Sequence, residues 1–118
     1  MLVYGLILTN VVLLVAGQLL FKTGLQRIGA LTLHNLPAVF LSPFIWAGLA
    51  LYVIGTVIWF AVLSRAPLNV VYPLQSLAYV LALFGSILIF REQVTAIRWI
   101  GVAVILLGVV LVSWQAKV

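Results

Sequence analysis

Four long apolar runs dominate the hydrophobic pattern of the chain, and short polar or turn-forming stretches separate them. Each run approaches the ~20 residues that a helix needs to cross the hydrocarbon core of a bilayer. The apolar residues are continuous and do not alternate with polar ones, which favours helices over the strands of a barrel. The pattern therefore predicts an all-α integral membrane protein, a single domain with four transmembrane helices at about residues 2–21, 44–63, 69–90 and 97–115.

The third run carries a stripe of polar side chains. On a regular helix with ~100° per residue, six of them fall within an arc of about 120°: Asn69, Tyr72, Gln75, Ser76, Tyr79 and Ser86. Because unpaired amides and hydroxyls are costly in hydrocarbon, we expect this stripe to face protein or water. It could line a substrate pathway, or its members could only join helices through hydrogen bonds. We predict substrate-binding roles for its central members, Tyr72, Gln75, Ser76 and Tyr79.

The first run carries a second polar row, in which Asn10, Gln18 and Lys22 share one flank of the helix with Leu14. We predict that the three polar members bind substrate. Lys22 lies at the end of the run, so it could extend towards the membrane surface or hold an anionic headgroup or phosphate. Gly17 lies beside the row and would let a neighbouring backbone approach closely.

Two further segments predict structure more than chemistry. Residues 23–43 mix glycine, proline and polar residues with leucine and phenylalanine, which predicts an interfacial or short re-entrant segment. The second run places Gly48, Tyr52, Gly55 and Trp59 on one face, which predicts a packing face that could also line a cavity. Pro73, early in the third run, predicts a kink or a locally unsatisfied carbonyl.

The fourth run repeats a spacing of seven residues between glycines. Gly101 and Gly108 share a stripe with Val104 and Ile105, and small and β-branched residues let two helices approach closely. Since the stripe has no polar group, we predict that these four residues form a dimer interface. A four-helix unit encloses little interior of its own, so a pathway here needs a partner protomer, either a second copy or a sister subunit.

Composition agrees with a membrane protein and limits the chemistry. The 118 residues are 67% hydrophobic and 6% charged, too few polar groups to cover a water-soluble domain. The net charge of +5 reflects Lys and Arg at the ends of the runs, which membrane lipids explain without nucleic acid. Cysteine is absent and His34 has no second ligand residue nearby, so we expect no metal site. No nucleophile–base pair or carboxylate dyad is present, so we expect neither catalytic residues nor a cofactor.

The positions of the basic residues bear on membrane orientation. Lys22, Arg27, Arg91 and Arg98 flank the first and third loops, whereas Arg65 and Lys117 lie on the other side. The excess of Lys and Arg in cytoplasmic loops favours both termini outside the cytoplasm, and the small margin leaves antiparallel pairing open. The first run lacks a basic leader and a small-residue cleavage site, so we expect a retained helix.

Several short motifs resemble the drug/metabolite transporter superfamily: Gly17-Gln18-Leu-Leu-Phe-Lys22, Ala66-Pro67, Tyr72-Pro73-Leu, Arg91-Glu92-Gln-Val94, and the pair Gly101 and Gly108. Within it the chain resembles the four-helix, EamA-like members. These are the small multidrug resistance transporters and, more closely, subunits of the aminoarabinose-phosphoundecaprenol flippase. The likeness covers nearly the whole chain. It implies a small multidrug resistance-like bundle in the cytoplasmic (inner) membrane of a bacterium.

One departure from this resemblance concerns charge. Small multidrug resistance transporters keep a membrane-embedded glutamate in their first helix, and Leu14 occupies the aligned place here. A leucine can neither exchange a proton nor attract a cation. Glu92 lies at the hinge beside Arg91, where we expect an interfacial ion pair or a helix-end role.

The resemblance and the residues together predict a flippase, or a flippase subunit, for a polyprenyl-phosphate-linked sugar. The sugar head would follow the polar face while Lys22 or an arginine meets the phosphate and the tail stays in lipid. Two alternatives remain open at this point. The chain could carry a small polar or cationic solute, or it could be a membrane accessory subunit that transports nothing.

Overall fold

The computed structural model describes residues 2–114, and this part of the chain is helical apart from its connecting turns. The helices, in chain order, are α1 (Leu2–Ile28), α2 (Leu36–Leu41), α3 (Pro43–Leu63), α4 (Leu68–Leu74), α5 (Leu77–Phe90) and α6 (Ala96–Ser113). Helices α4 and α5 are separated by two residues and together form one 23-residue span, Leu68–Phe90. Within residues 2–114, four spans are long and apolar enough to cross a membrane, which confirms the predicted fold class.

The observed bounds differ from the predicted ones mainly at the end of the first span. Helix α1 continues seven residues beyond the expected end at residue 21, because Gly29 is the first residue that breaks it. Gly29 adopts a left-handed φ of 96°, and its N–H donates to the carbonyl of Leu25 at 2.8 Å. Glycine adopts this conformation without a steric cost, which is why it so often ends helices. The predicted end of the fourth span at residue 115, and Lys117, lie outside the described residues.

Residues 23–43, expected at the interface or re-entrant, are divided among three elements. They comprise the last turn and a half of α1, a loop over residues 29–35, and the six-residue helix α2. Helix α2 buries none of its residues, and Phe40 and Leu41 are 63% and 81% exposed. An exposed apolar segment beside the ends of the spans is typical of one that lies at the membrane surface. Its contact with lipid stays a prediction.

Helices α1 and α3 pack closely because both carry a glycine at their crossing point. A methyl group at Gly48 would stand 2.8 Å from the carbonyl oxygen of Gly17, and one at Gly17 would stand 3.0 Å from the carbonyl oxygen of Gly48. No side chain fits between the two backbones. The sequence-based expectation that Gly17 permits close approach is confirmed, and so is the packing role of the glycine face of the second span.

The core lies where α1 meets the other spans. Buried valines and isoleucine recur every four residues along α1, so they form one stripe of the helix. They pack against Val62 at the end of α3 and against Val71 and Leu74 of α4. By contrast α6 buries no residue, and a methyl group at Gly101 or Gly108 would meet nothing within 4 Å. In the predicted dimer stripe Gly101 and Val104 are exposed and Ile105 and Gly108 are partly exposed, and contact of the stripe with a partner stays a prediction.

We expect Gly48→Ala to destabilise the protein by about 1–3 kcal/mol, because the new methyl group overlaps backbone that cannot move without separating α1 from α3. The measurement is the free energy of unfolding in detergent micelles. The matched control is Gly5→Ala in α1, where the methyl group meets nothing within 4 Å. Equal stability of the Gly48 and Gly5 variants would show that the helices do not approach as closely as described.

Candidate functional site

The third span is interrupted where its polar side chains are concentrated. Pro73 has no N–H, so it cannot donate to the carbonyl four residues earlier and its ring disfavours a straight helix. The chain responds with a tighter turn, in which Ser76 N–H donates to the carbonyl of Pro73 and Tyr79 N–H to that of Ser76, both at 3.0 Å. Bonds between residues three apart have the 3₁₀ pattern, in which residues three apart eclipse each other. Helix α4 continues through Pro73 to Leu74 and the interruption follows at residues 75–76, so a bend or an unsatisfied carbonyl at Pro73 itself stays a prediction.

Asn10 connects three spans through its side-chain amide. Its Nδ2 donates to the carbonyl of Gly55 in α3 at 2.8 Å, and its Oδ1 accepts from Nε2 of Gln75 at 2.9 Å. Asn10 is only 1% exposed. A buried amide is stable in an apolar interior only when its polar atoms are paired, and here both ends of the amide are. We call this set of contacts the amide bridge.

A cleft of about 570 Å³ opens beside the amide bridge, between α1, α3 and the interrupted span. Its polar lining consists of uncharged amides and hydroxyls: Gln18, Tyr52, Tyr72, Gln75, Ser76 and Tyr79. The remainder of the wall is apolar: Leu14, Val15, Pro73, Ala78 and Ala82. Mostly apolar walls with a few convergent polar groups are typical of small-molecule sites.

Aromatic rings and an amide shape the wall contributed by α1 and α3. Gln18 donates through Nε2 to the hydroxyl of Tyr52, and the Tyr52 ring lies 5.3 Å from the ring of Phe21. On the other side Tyr72 meets Trp59 edge to face, with 6.2 Å between ring centroids. Tyr72 and Tyr79 are 63% and 70% exposed, so their rings are free to meet a ligand.

Lys22 lies one helical turn beyond Gln18 and pairs with the chain's one acid. Its Nζ contacts Oε1 of Glu92, which lies in the loop between α5 and α6, and it also lies 5.4 Å from the ring centroid of Phe90. The ion pair expected for Glu92 is present, although its partner is Lys22 of α1 and not the adjacent Arg91. Lys22 lines a shallower groove of about 510 Å³, and Gln18 belongs to both this groove and the cleft.

The predicted site residues fall into three groups. Five of them line the cleft together, as the sequence pattern indicates: Gln18, Tyr72, Gln75, Ser76 and Tyr79. Asn10 lies behind the cleft wall in the amide bridge, and Lys22 lies beyond its end. Two outer members of the stripe do not line the cleft, and one of them, Ser86, bonds to the carbonyl of Leu83 in its own helix at 2.7 Å. Substrate contact by any of these residues stays a prediction.

The predicted substrate-binding residues did not include Tyr52, whose face was expected to pack and could also line a cavity, yet Tyr52 lines the cleft. The spacing from Gly48 puts the ring one turn from the helix crossing, and an aromatic beside a glycine face is a pattern that could have indicated this. Leu14 lies in the cleft wall, at the place where the resemblance had led us to look for an acid.

Four helices long and apolar enough to span a membrane, with an uncharged polar cleft between them, define a multi-pass membrane protein with a candidate small-molecule site. The chain belongs to the EamA-like transporter family, whose family model matches residues 1–114. No solved structure matches it significantly.

The curated relatives agree with this family. The chain is 41% identical to a probable 4-amino-4-deoxy-L-arabinose-phosphoundecaprenol flippase subunit ArnF of Sodalis glossinidius, over 96% of this chain and 92% of that protein. It is 35% identical to the corresponding probable ArnF of Yersinia enterocolitica, over 93% and 92%. A probable flippase subunit ArnE of Aeromonas hydrophila is 39% identical over 61% of this chain and 63% of its own length.

We expect Asn10→Ala and Gln75→Ala each to destabilise the protein by about 1–2 kcal/mol, because Gln75→Ala leaves Oδ1 of the buried Asn10 without its donor and Asn10→Ala leaves the carbonyl of Gly55 without its donor. Because the two residues share one hydrogen bond, the double variant should lose less than the sum of the two. The measurement is the free energy of unfolding in mixed micelles for the two single variants and the double variant. The control is Thr9→Ala with Gln75→Ala. Thr9 bonds only within its own helix, to Gly5, so these two effects should add. Full additivity for Asn10 and Gln75 would contradict the amide bridge.

Proposed function

We propose that this protein is a flippase subunit that moves a polyprenyl-phosphate-linked sugar across the cytoplasmic membrane of a bacterium. The observation that carries the proposal is the cleft: hydrogen-bonding, uncharged and beside a membrane-spanning surface. The named function of the ArnF and ArnE relatives supports the same cargo class and suggests aminoarabinose as the sugar.

The chemistry of the cleft suits a sugar head group. Sugar hydroxyls both donate and accept hydrogen bonds, and the amides of Gln18 and Gln75 and the tyrosine hydroxyls can do the same. Aromatic rings such as Tyr72 and Tyr79 also offer flat apolar faces beside those polar groups. The volume of about 570 Å³ falls in the usual range for small-ligand clefts. The lipid tail would remain in the bilayer.

The position of the one acid distinguishes this cargo from a cation. Glu92 lies in the loop between α5 and α6, paired with Lys22, whereas Leu14 occupies the cleft wall. A cation in this cleft would lose its hydration without meeting a negative charge, which is costly in a membrane interior. A small cationic solute is therefore the less favourable cargo. In this assignment Asn10 supports the cleft through Gln75, and Lys22 serves the phosphate.

We propose further that the working unit contains a second protomer held against α6. Val104 is 61% exposed there, and the glycines beside it leave open space for a close helix contact. Relatives named as two different subunits, ArnF and ArnE, support a sister subunit as the partner. A second copy of this chain is the other possibility.

We expect Tyr79→Ala to slow the movement of a prenyl-phosphate sugar about fivefold or more, because roughly 1 kcal/mol of hydrogen bonding and ring contact is lost. The measurement uses the protein reconstituted into vesicles, with and without a sister subunit, and follows inward-to-outward transfer of a radiolabelled lipid-linked sugar. The matched control is Phe60→Ala, an aromatic residue that is 62% exposed and does not line the cleft.

Two results would contradict the proposed function. One is transfer no faster than in empty vesicles with either partner present. The other is uptake of a cation in exchange for protons, because the cleft holds no carboxylate to carry that exchange.

We expect a Val104→Cys variant to form a disulfide-linked dimer on mild oxidation in membranes. The chain has no cysteine of its own, so in membranes that contain this protein alone a disulfide must join two copies of it, and the test addresses the second-copy possibility. The control is Leu106→Cys, which is 41% exposed about half a turn around α6. Adding Gly108→Leu to Val104→Cys should weaken the cross-link, because a larger side chain separates the helices. Equal cross-linking at positions 104 and 106 would count against this interface.

A further inference from the structure

Lys22 and Glu92 form an ion pair that can be exchanged for another. The side chains are 49% and 40% exposed, so both reach solvent or lipid headgroups. An exposed pair of this kind is weak, since water screens the attraction and holding two long side chains costs entropy. A ligand with a stronger negative charge can therefore compete with the carboxylate for Lys22.

The backbone holds the carboxylate at this place. Arg91 ends α5 with a left-handed φ of 54°, and the N–H of Glu92 donates to the carbonyl of Ser86 at 3.2 Å. Only in special settings does a side-chain-bearing residue adopt this conformation. The turn at Arg91 brings Glu92, the single acid of the chain, to Lys22, which lies 70 residues away in sequence.

The pair is placed where a lipid-linked phosphate would arrive. Gln18 lines the cleft, and Lys22 lies one turn farther along the same helix in a groove that shares Gln18. At ~1.5 Å per residue, four residues separate the two by about 6 Å along the helix axis. A head group in the cleft would therefore have a phosphate within reach of a long lysine side chain.

We propose that Glu92 occupies a phosphate-binding position at Lys22, and that the phosphate ester of a membrane lipid displaces it. This inference rests on the proposed function and deepens it, because it adds Glu92 as a residue that competes with the ligand. Displacement frees Glu92 and with it the loop between α5 and α6, so binding at one end of the cleft loosens a contact between the first span and that loop. Lys22 changes partners and keeps a neutralised charge throughout.

The test measures binding of farnesyl phosphate to the purified full chain in micelles by titration calorimetry, with farnesol as the ligand that lacks phosphate. Glu92→Gln should raise the affinity for farnesyl phosphate about threefold, since a weak competing ion pair is removed. Lys22→Gln should lower it about tenfold, because a charged hydrogen-bond donor is lost. In the double variant the affinity should equal that of Lys22→Gln alone. Binding of farnesol should not change.

The two single variants are expected to change the affinity for farnesyl phosphate in opposite directions, and this distinguishes exchange from a merely structural ion pair. If the pair were only structural, both variants would lower thermal stability together and neither would raise affinity. Arg65→Gln, which removes a positive charge at the other side of the bundle, is the matched control and should leave binding unchanged. An unchanged or reduced affinity in Glu92→Gln would overturn the proposal. The proposal would also be overturned if Glu92→Gln raised the affinity for farnesyl phosphate in the Lys22→Gln background, because the gain would then be a general effect of charge.

A competition arm identifies the source of the phosphate. Phosphatidylglycerol added to the micelles should not displace farnesyl phosphate if the site takes the prenyl-linked cargo. Equal displacement would support the exchange and assign the position to phospholipid headgroups. Because binding in micelles involves no translocation, the exchange can hold where flipping fails. If the protein moves lipid-linked sugar in vesicles but Glu92→Gln leaves the affinity for farnesyl phosphate unchanged, the exchange is contradicted and the proposed function is not.

Discussion

The amide bridge at Asn10 is the interaction on which the candidate site depends. In a membrane interior no water is present to satisfy a free polar group, so every amide must find a partner within the protein. Asn10 joins the carbonyl of Gly55 to the amide of Gln75, and Gln75 lies in the turn that Pro73 creates. The amide bridge thus holds the irregular part of the third span against α1. The interrupted turn is fixed in this way at the edge of the cleft.

The cleft exists because α1 makes different contacts on its two sides. Towards α3, glycines bring the backbones together and leave no space. Towards the third span, α1 makes contact at two levels: the bond between Asn10 and Gln75 with the core packing of Val71 and Leu74, and farther along the helix the contact of Leu19 with Gly85. Between these levels the wall carries small alanines and an interrupted turn, so the surfaces separate. Close packing of α1 against α3 therefore makes one wall of the cleft rigid. The interruption of the third span leaves the space that forms the cleft.

The spans and most of the polar lining could be predicted from the sequence, because both depend on local periodicity. The polar residues from Tyr72 to Tyr79 stay on one face across the interruption of the helix, because residues three apart remain aligned in the tighter turn. The pairs that complete the site could not be predicted. Asn10 and Gln75 lie 65 residues apart and Lys22 and Glu92 lie 70 apart, so their meeting depends on how the spans are shifted along one another. No single-helix pattern contains that shift, and for the same reason the sequence left open whether Tyr52 packs or lines a cavity.

The distribution of charge limits how transport through this cleft could be driven. The chain has one acid and one histidine, and neither is part of the cleft lining. A proton gradient acts on a carrier through a group that gains and loses protons during the cycle, and the resemblance to multidrug transporters assigns that role to a membrane-embedded glutamate. Leu14 stands in the cleft wall at the place of that glutamate, so the described lining holds no carboxylate for such an exchange. If protons drive the movement of a cargo along this surface, the group that exchanges them must lie outside the described cleft lining, for example on a partner protomer.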